Sequence, residues 1–381
     1  MSAVNRLITH LAGLFHYLYY DLPARWLRGF VLPCRNVTFE LTYRCNLTCD
    51  FCYLRLEEEK LGRRISREDE LTFEELCALI IKLPRHSNVT FVGGEVTIKS
   101  RFWDLMEFAT RRHQVTIGTN AVNFTPEICQ RIVAAGVSGV GTSLDGPEEI
   151  HDAIRGRGTF QKTCVNIRRI VEARGQVGSR IPQINLNCVM IPENIPRLAD
   201  VVDVASEIGV DSCSFQVFDP SLSRSGINLR EEIVESEPWT SQMPSVDHDT
   251  FADSLERLEV RARAKGVPFA FSPLRTKTEV LDFYAGQFAY DQYSCSVPWT
   301  TTRISPTGDL FPCLNYRIGN IRQHNLTALW NHPRYREFRN RMKGRGLYQS
   351  CAGCCKMAPR FPGAQPQQNR NARPDPAGGR Q

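Results

Sequence analysis

The sequence predicts an α/β protein: six strand–helix units on a parallel sheet, then a small cysteine-rich domain. Two observations predict this. Between residues 36 and 218, short apolar runs with strand character alternate with segments whose apolar residues recur at helical spacing. The chain has fourteen cysteines, three of them gathered at Cys45, Cys49 and Cys52 and five more at Cys295, Cys313, Cys351, Cys354 and Cys355. Six units are too few to close an eight-fold barrel.

The elements follow in order. Asn36 to Tyr43 reads as a strand through Val37, Phe39 and Leu41. Thr72 and Glu75 form a capping box that opens a helix through Leu83. Val89 to Val92 is strand-like, Phe102 to Arg112 helical, Val115 to Thr119 strand-like and Pro126 to Ala135 helical. Gly139 to Leu144, Gln183 to Ile191 and Ser212 to Phe218 read as strands. Phe160 to Ala173 and Ile195 to Ile208 read as the helices between them. On the fifth strand Ile184, Leu186, Cys188 and Met190 share one face, and Gln183, Asn185, Asn187 and Val189 the other. Asn185 and Asn187 face either solvent or the barrel lumen; helices cover barrel strands outside, which favours the lumen.

Cys45, Cys49 and Cys52 have the spacing C-x3-C-x2-C, with the aromatic Phe51 just before the third. Three thiolates can hold three irons of a [4Fe–4S] cluster and leave the fourth open, whereas electron-transfer clusters use four. Structural zinc favours paired cysteines closed by a nearby fourth ligand, and none follows here. The Val89 to Val92 strand runs into Gly93, Gly94 and Glu95. Glycines there permit close backbone approach, and Glu95 can accept hydrogen bonds from an ammonium group.

These motifs resemble the radical S-adenosylmethionine (SAM) superfamily. The resemblance implies a partial (β/α)6, TIM-like barrel with the ligand at the carboxyl ends of the strands. It implies that Cys45, Cys49 and Cys52 hold the catalytic [4Fe–4S] cluster and that SAM chelates the open iron. Gly93, Gly94 and Glu95 match the motif that binds the methionyl amino group, with Val96 where proline is usual. Phe51, Asn120, Ser143 and Arg155 fall at further SAM-contacting places. Arg155 can fork onto a carboxylate, while Asp145 and Gly146 also read as a plain turn.

In the second group a hairpin around a Pro-Thr-Gly-Asp turn carries Cys313. Cys295 precedes it, and Cys351 and Cys354 close a C-x2-C. Four thiolates suit either a [4Fe–4S] cluster or zinc. The segment resembles the one-cluster form, Twitch, of the SPASM extension, which implies an auxiliary [4Fe–4S] cluster on Cys295, Cys313, Cys351 and Cys354. Cys355 is the alternative fourth ligand. The other six cysteines stand singly in mostly apolar runs and read as small buried hydrophobes.

The expected organisation is an amphipathic helical segment (1–35), the barrel (36–218), a bridge able to act as a substrate lid (219–294), the auxiliary domain (295–355) and a disordered tail (356–381). Residues 4–32 suit a helix packed on the barrel or one lying at a membrane surface. Residues 1–35 are too short for a winged-helix leader-binding domain, which argues against leader-dependent peptides. A net charge of +6 is modest and mostly scattered, so nucleic acid is not implied. No run approaches the ~20 apolar residues of a transmembrane helix, and no cleavable signal precedes the cysteines. The location expected is a reducing cytoplasm, with peripheral membrane contact through residues 4–32 as an option.

The resemblance implies an enzyme that reductively cleaves SAM and uses the 5′-deoxyadenosyl radical on an unactivated C–H. The auxiliary cluster would assist oxidation, and a flavodoxin- or ferredoxin-like protein would donate the electron. The substrate is left open among small molecules, lipids and peptides, so a peptide- or protein-maturing enzyme stays in view. The reading from another class is a non-catalytic iron–sulfur or zinc protein or redox sensor.

Overall fold

The computed structural model describes residues 22, 26–49, 51–52, 54, 65–219, 239–313 and 316–360. Seven strands run parallel in sequence order: β1 (Asn36–Glu40), β2 (Asn88–Val92), β3 (Gln114–Thr119), β4 (Gly139–Ser143), β5 (Gln183–Val189), β6 (Ser212–Gln216) and β7 (Phe269–Ser272). Between them lie α1 (Phe73–Lys82), α2 (Phe102–Thr110), α3 (Pro126–Ala134), α4 (Glu148–Arg155), α5 (Thr159–Gln176), α6 (Leu198–Ile208) and α7 (His248–Lys265). The parallel α/β architecture is thus the one expected.

The sheet extends beyond six units at both edges. β7 pairs with β6, and α8 (Lys277–Tyr284) leads from it toward β8 (Tyr293–Ser294). β9 (Thr301–Ile304) pairs parallel with β1, and β10 (Asp309–Phe311) and β11 (Gly319–Asn320) continue antiparallel. The cysteine-rich segment is therefore welded to the first barrel strand. The last elements are α9 (Leu326–Trp330), α10 (Pro333–Arg345) and β12 (Ala358–Pro359).

Local signals explain the boundaries. The Thr72 side chain accepts from the Glu75 N–H at 3.2 Å, and the Glu75 carboxylate accepts from the Thr72 N–H at 2.7 Å. Such a cap contributes about 1 kcal/mol. Thr125 caps α3, with Pro126 in its first turn. In β5, Ile184, Leu186 and Cys188 are buried against the helices, and Asn185, Asn187 and Val189 are half-buried on the other side. Phe39, Phe91 and Phe102 form a buried aromatic row that fixes α2 on β1 and β2. Truncating such a ring would cost about 3–5 kcal/mol.

Two helices escape the periodicity reading. α4 is an eight-residue helix with only Ile150, Ala153 and Ile154 as apolar markers, and α10 carries a charge at every second position or so. The start of the expected tail is structured. β12 pairs with β8, and the Arg360 N–H donates to the Gln292 carbonyl at 2.8 Å, so residues 356–360 are ordered by that edge. Of the expected bridge and lid (219–294), residues 220–238 lie outside the described residues, as do most of the N-terminal segment (1–21, 23–25) and the tail from 361. Among the described residues no helix is long and apolar enough to cross a membrane.

Candidate active site

A cavity of about 350 Å³ opens at the carboxyl ends of β2 to β6. Cys45, Cys49, Phe51 and Cys52 form one wall. Gly93, Gly94, Asn120 and Ser143 line it from the strand ends and Arg155 from the end of α4, and Asn187, Gln216, Phe218 and Asp219 close the far side. Residues 100 positions apart meet because parallel strands place every carboxyl end on one rim.

The cysteine loop is held from beneath. Arg44 forks onto Glu70 (3.1 and 3.3 Å), and Lys99 adds a bond to Glu70 at 2.9 Å and one to the Leu71 carbonyl at 2.6 Å. Glu70 is 2% exposed, so this buried carboxylate is neutralised from two sides. The sequence reading missed it; a Glu before the capping box gives no local signal of a partner 26 residues away.

Gly93 and Gly94, besides lining the cavity, are required by the backbone packed against them. A Cβ on Gly94 would sit 2.3 Å from the Arg44 carbonyl, and one on Gly93 2.3 Å from the Thr42 carbonyl. Gly93 also has φ of +146°. The Gly94 N–H donates to Thr42 (2.8 Å) and the Glu95 N–H to Arg44 (3.0 Å). The turn is thus zipped onto the stem of the cysteine loop.

Glu95 is 1% exposed and does not line the cavity. Its carboxylate accepts from the Thr97 N–H (3.2 Å), the Thr97 hydroxyl (2.9 Å), the Thr119 hydroxyl (2.8 Å) and the Asn120 N–H (2.8 Å). These donors tie the β2 turn to the end of β3. Asn120 then reaches the cysteine loop, donating to Asn46 Oδ1 at 2.8 Å and approaching Cys45 Sγ at 3.8 Å.

Arg155, at the end of α4, pairs with the fully buried Asp145 and approaches Cys49 Sγ at 3.8 Å. Its guanidinium stands 5.7 Å from the Phe51 ring. Burial opposes its charge, but Asp145 and Cys49 hold its pKa above the ordinary value. His151, one turn earlier, accepts the Asp145 N–H at 3.3 Å on Nδ1, and burial pushes its pKa down to about 4 against the pull of Asp145. Asp145 is more than a turn residue: it fixes both side chains.

Burial pushes the Cys45 thiol up to about 11 and raises Cys49, which Arg155 partly offsets. In the second group burial pushes Cys295 to about 11 and Cys351 to about 12, and raises Cys354 well above the ordinary thiol value. Cys313 acts electrostatically on Cys295 and Cys351, Cys295 on Cys351, and Cys355 and Cys351 on Cys354. Buried thiols of this kind ionise when a metal centre compensates their charge, so both groups fit iron–sulfur ligation. Among the described residues no three His, Cys, Asp or Glu side chains converge on a single-ion point; cluster thiolates each take a different iron.

The two groups approach each other through the far wall. A Cβ on Gly353, between Cys351 and Cys354, would lie 3.3 Å from the Phe218 carbonyl. Asp219, 6% exposed, lines the cavity and acts electrostatically on Cys351, Cys354 and Cys355. The sequence reading did not single it out, for it stands at the edge of an irregular stretch.

The family model of the radical SAM superfamily matches residues 39–205, and that of the SPASM iron–sulfur cluster-binding domain matches residues 295–355. The chain is a radical SAM enzyme with a C-terminal SPASM domain. Its cofactors are accordingly a catalytic [4Fe–4S] cluster with SAM and auxiliary iron–sulfur ligation. Mycofactocin maturase MftC of Mycobacterium tuberculosis is 26% identical over 86% of this chain and 79% of that one. The AdoMet-dependent heme synthase of Nitratidesulfovibrio vulgaris is 24% identical over 84% and 87%. Among solved structures, Streptococcus suis SuiB bound to precursor peptide SuiA shares the fold, with a TM-score of 0.58 at 15% identity over 82% of this chain and 68% of that one. So does anSMEcpe with bound AdoMet, with a TM-score of 0.52 at 18% identity over 80% and 82%. For this radical SAM protein, Cys45, Cys49 and Cys52 would hold the catalytic cluster.

Proposed function

We propose that this enzyme abstracts a hydrogen atom from an unactivated C–H of a peptide substrate held against Asn187, Gln216 and Asp219. The observation that carries the reading is the shared cavity: the cysteine loop and Arg155 form one side, and a wall backed by the second cysteine group forms the other. When bound, the cluster and SAM supply a 5′-deoxyadenosyl radical.

The chain's own residues do the positioning. Arg155 presents a fixed cation for the SAM carboxylate, with Asp145 keeping its geometry. Asn120 and Ser143 offer polar contacts at the ends of β3 and β4. Phe51 and Phe218 keep water from the reacting region. Asp219 anchors an N–H or cationic group of the substrate close to the second cysteine group. Cys295, Cys313, Cys351 and Cys354 hold the auxiliary cluster within reach of that wall, in line with an oxidative outcome. A flavodoxin- or ferredoxin-like protein supplies the electron.

The peptide assignment is supported by the likeness to the mycofactocin maturase over most of both chains. The test has two arms. Anaerobic protein with iron, sulfide, SAM and dithionite should release 5′-deoxyadenosine, and Cys45→Ala should abolish it; release by that variant would sink the catalytic assignment. Extract of the host grown in deuterated medium should then transfer deuterium into 5′-deoxyadenosine. Prior protease treatment of the extract should remove that transfer, and undiminished transfer would exclude a peptide.

A further inference from the structure

The segment that leads into β1 exposes more apolar surface than a packed strap needs. Trp26 is 75% exposed, Leu27 44% and Phe30 42%. Yet its backbone is firmly seated. Val31 is fully buried and exchanges two hydrogen bonds with the Asn331 side chain (3.0 and 2.9 Å), and the Trp330 indole N–H donates to the Leu32 carbonyl at 2.7 Å. Gly29 carries φ of +80°, and a Cβ there would sit 2.5 Å from the Arg336 carbonyl, so the strap lies flush on α10. Arg339 donates to the Gly29 carbonyl at 3.0 Å, and Arg336 and Asn340 each reach the Arg28 carbonyl at 3.4 Å. The outward rings are therefore presented by a fixed backbone.

The surroundings are cationic. α10 has thirteen residues, of which six are Arg or Lys and one, Glu337, is acidic. Arg339 is buried in the clamp, but Arg341, Lys343 and Arg345 are exposed, as is Arg28 on the strap. Upstream, Leu7, Leu11, Leu14, Phe15 and Leu18 continue an apolar helical spacing in the sequence.

We propose that this face docks the enzyme on an anionic lipid bilayer, with Trp26, Leu27 and Phe30 in the headgroup boundary and the α10 cations over the lipid phosphates. Aromatic and aliphatic side chains beside Arg and Lys are what an interfacial contact requires. Each cation near an anionic leaflet adds attraction, and the aromatic tips add apolar burial. A protein partner could use the rings, but the charge on α10 selects a partner dense in negative charge.

The test is flotation of the full, cluster-loaded chain with phosphatidylcholine vesicles, with or without phosphatidylglycerol. The chain should float with the anionic vesicles, remain unbound with the neutral ones, and be released as salt shortens the screening length. The double variant Trp26→Ser/Phe30→Ser, and separately Lys343→Glu/Arg345→Glu, should each lower the floated fraction at least tenfold while iron content and SAM cleavage stay as in the parent. Equal recovery in the unbound fraction for both vesicle types overturns the proposal, as does flotation that neither variant weakens. A lipid-free dimer that the Trp26→Ser/Phe30→Ser change breaks would make the face a contact between copies, and the lipid assignment would fall.

Discussion

The Arg155 guanidinium stands 3.8 Å from the Cys49 sulfur while pairing with the buried Asp145. One cation thus answers to a thiol of the cysteine loop, a carboxylate and the open cavity. Arg155→Gln leaves Asp145 buried and unpaired, and breaking such a pair costs about 3–5 kcal/mol. It also removes the fork for a carboxylate, worth about 1.5–3 kcal/mol, or roughly ten- to hundredfold in SAM affinity. The double variant Asp145→Asn/Arg155→Gln should regain most of the stability and none of the affinity. Denaturant midpoints and SAM titrations separate the two effects; parental SAM affinity in both variants would remove Arg155 from the site.

Glu95 offers a sharper contrast, because its carboxylate is already occupied by four protein donors. Glu95→Gln turns an amide NH2 toward one of them. An unsatisfied buried donor costs about 1–3 kcal/mol, so the denaturation midpoint should fall while SAM affinity of the folded protein changes little. A large loss of SAM affinity at unchanged stability would instead place the carboxylate on the SAM ammonium group.

Gly94→Ala acts on the cluster through the backbone. The new methyl would meet the Arg44 carbonyl at 2.3 Å and the Tyr43 carbonyl at 2.7 Å, so the stem of the cysteine loop has to move. Iron should drop from about eight to about four per chain, the auxiliary cluster remaining, since each cluster carries four irons. Iron analysis beside a 5′-deoxyadenosine assay reads this directly, and full iron loading would show that the loop tolerates the shift.

How far the sequence carries can be judged from these residues. Cysteine spacing, the glycine turn and the strand alternation are local signals, so the rim of the cavity and the parallel sheet were legible. The partners of those residues were not. Glu70 meets Arg44 across 26 positions, and Asp219 meets the second cysteine group across more than 130. Such pairings are products of topology, not of pattern. Glu95 shows the converse: the motif located it, while the direction of its carboxylate depended on where Thr97, Thr119 and Asn120 came to rest.

Acid should weaken this fold through His151. Its folded pKa of about 4 lies below the ordinary value of 6.5. Between those values the unfolded chain binds a proton that the folded chain refuses, so stability present at neutral pH is lost as pH falls. From pH 7 to pH 5 the loss from this group is about 2 kcal/mol. Anaerobic denaturation at the two pH values should show that slope in the parent and a flatter one in His151→Asn, whose amide can still accept the Asp145 N–H. Equal slopes would mean that His151 is protonated in the folded protein.

The fourth auxiliary ligand can be decided by the same iron count. The Cys354 N–H donates to the Cys351 carbonyl at 3.0 Å, closing a tight turn between the two cysteines. Cys354 is half-buried and feels the charge of Cys355 and Cys351, the latter itself acted on by Cys313 and Cys295, whereas Cys355 is exposed and feels Lys356 and Asp219. A thiolate withdrawn from water and left without iron is costly, so the less exposed cysteine is the better ligand. Cys354→Ala should therefore lose about four irons per chain, the content of one cluster, and Cys355→Ala none. Loss with Cys355→Ala and retention with Cys354→Ala would reverse the assignment and require the loop after Cys351 to turn its other face to the cluster.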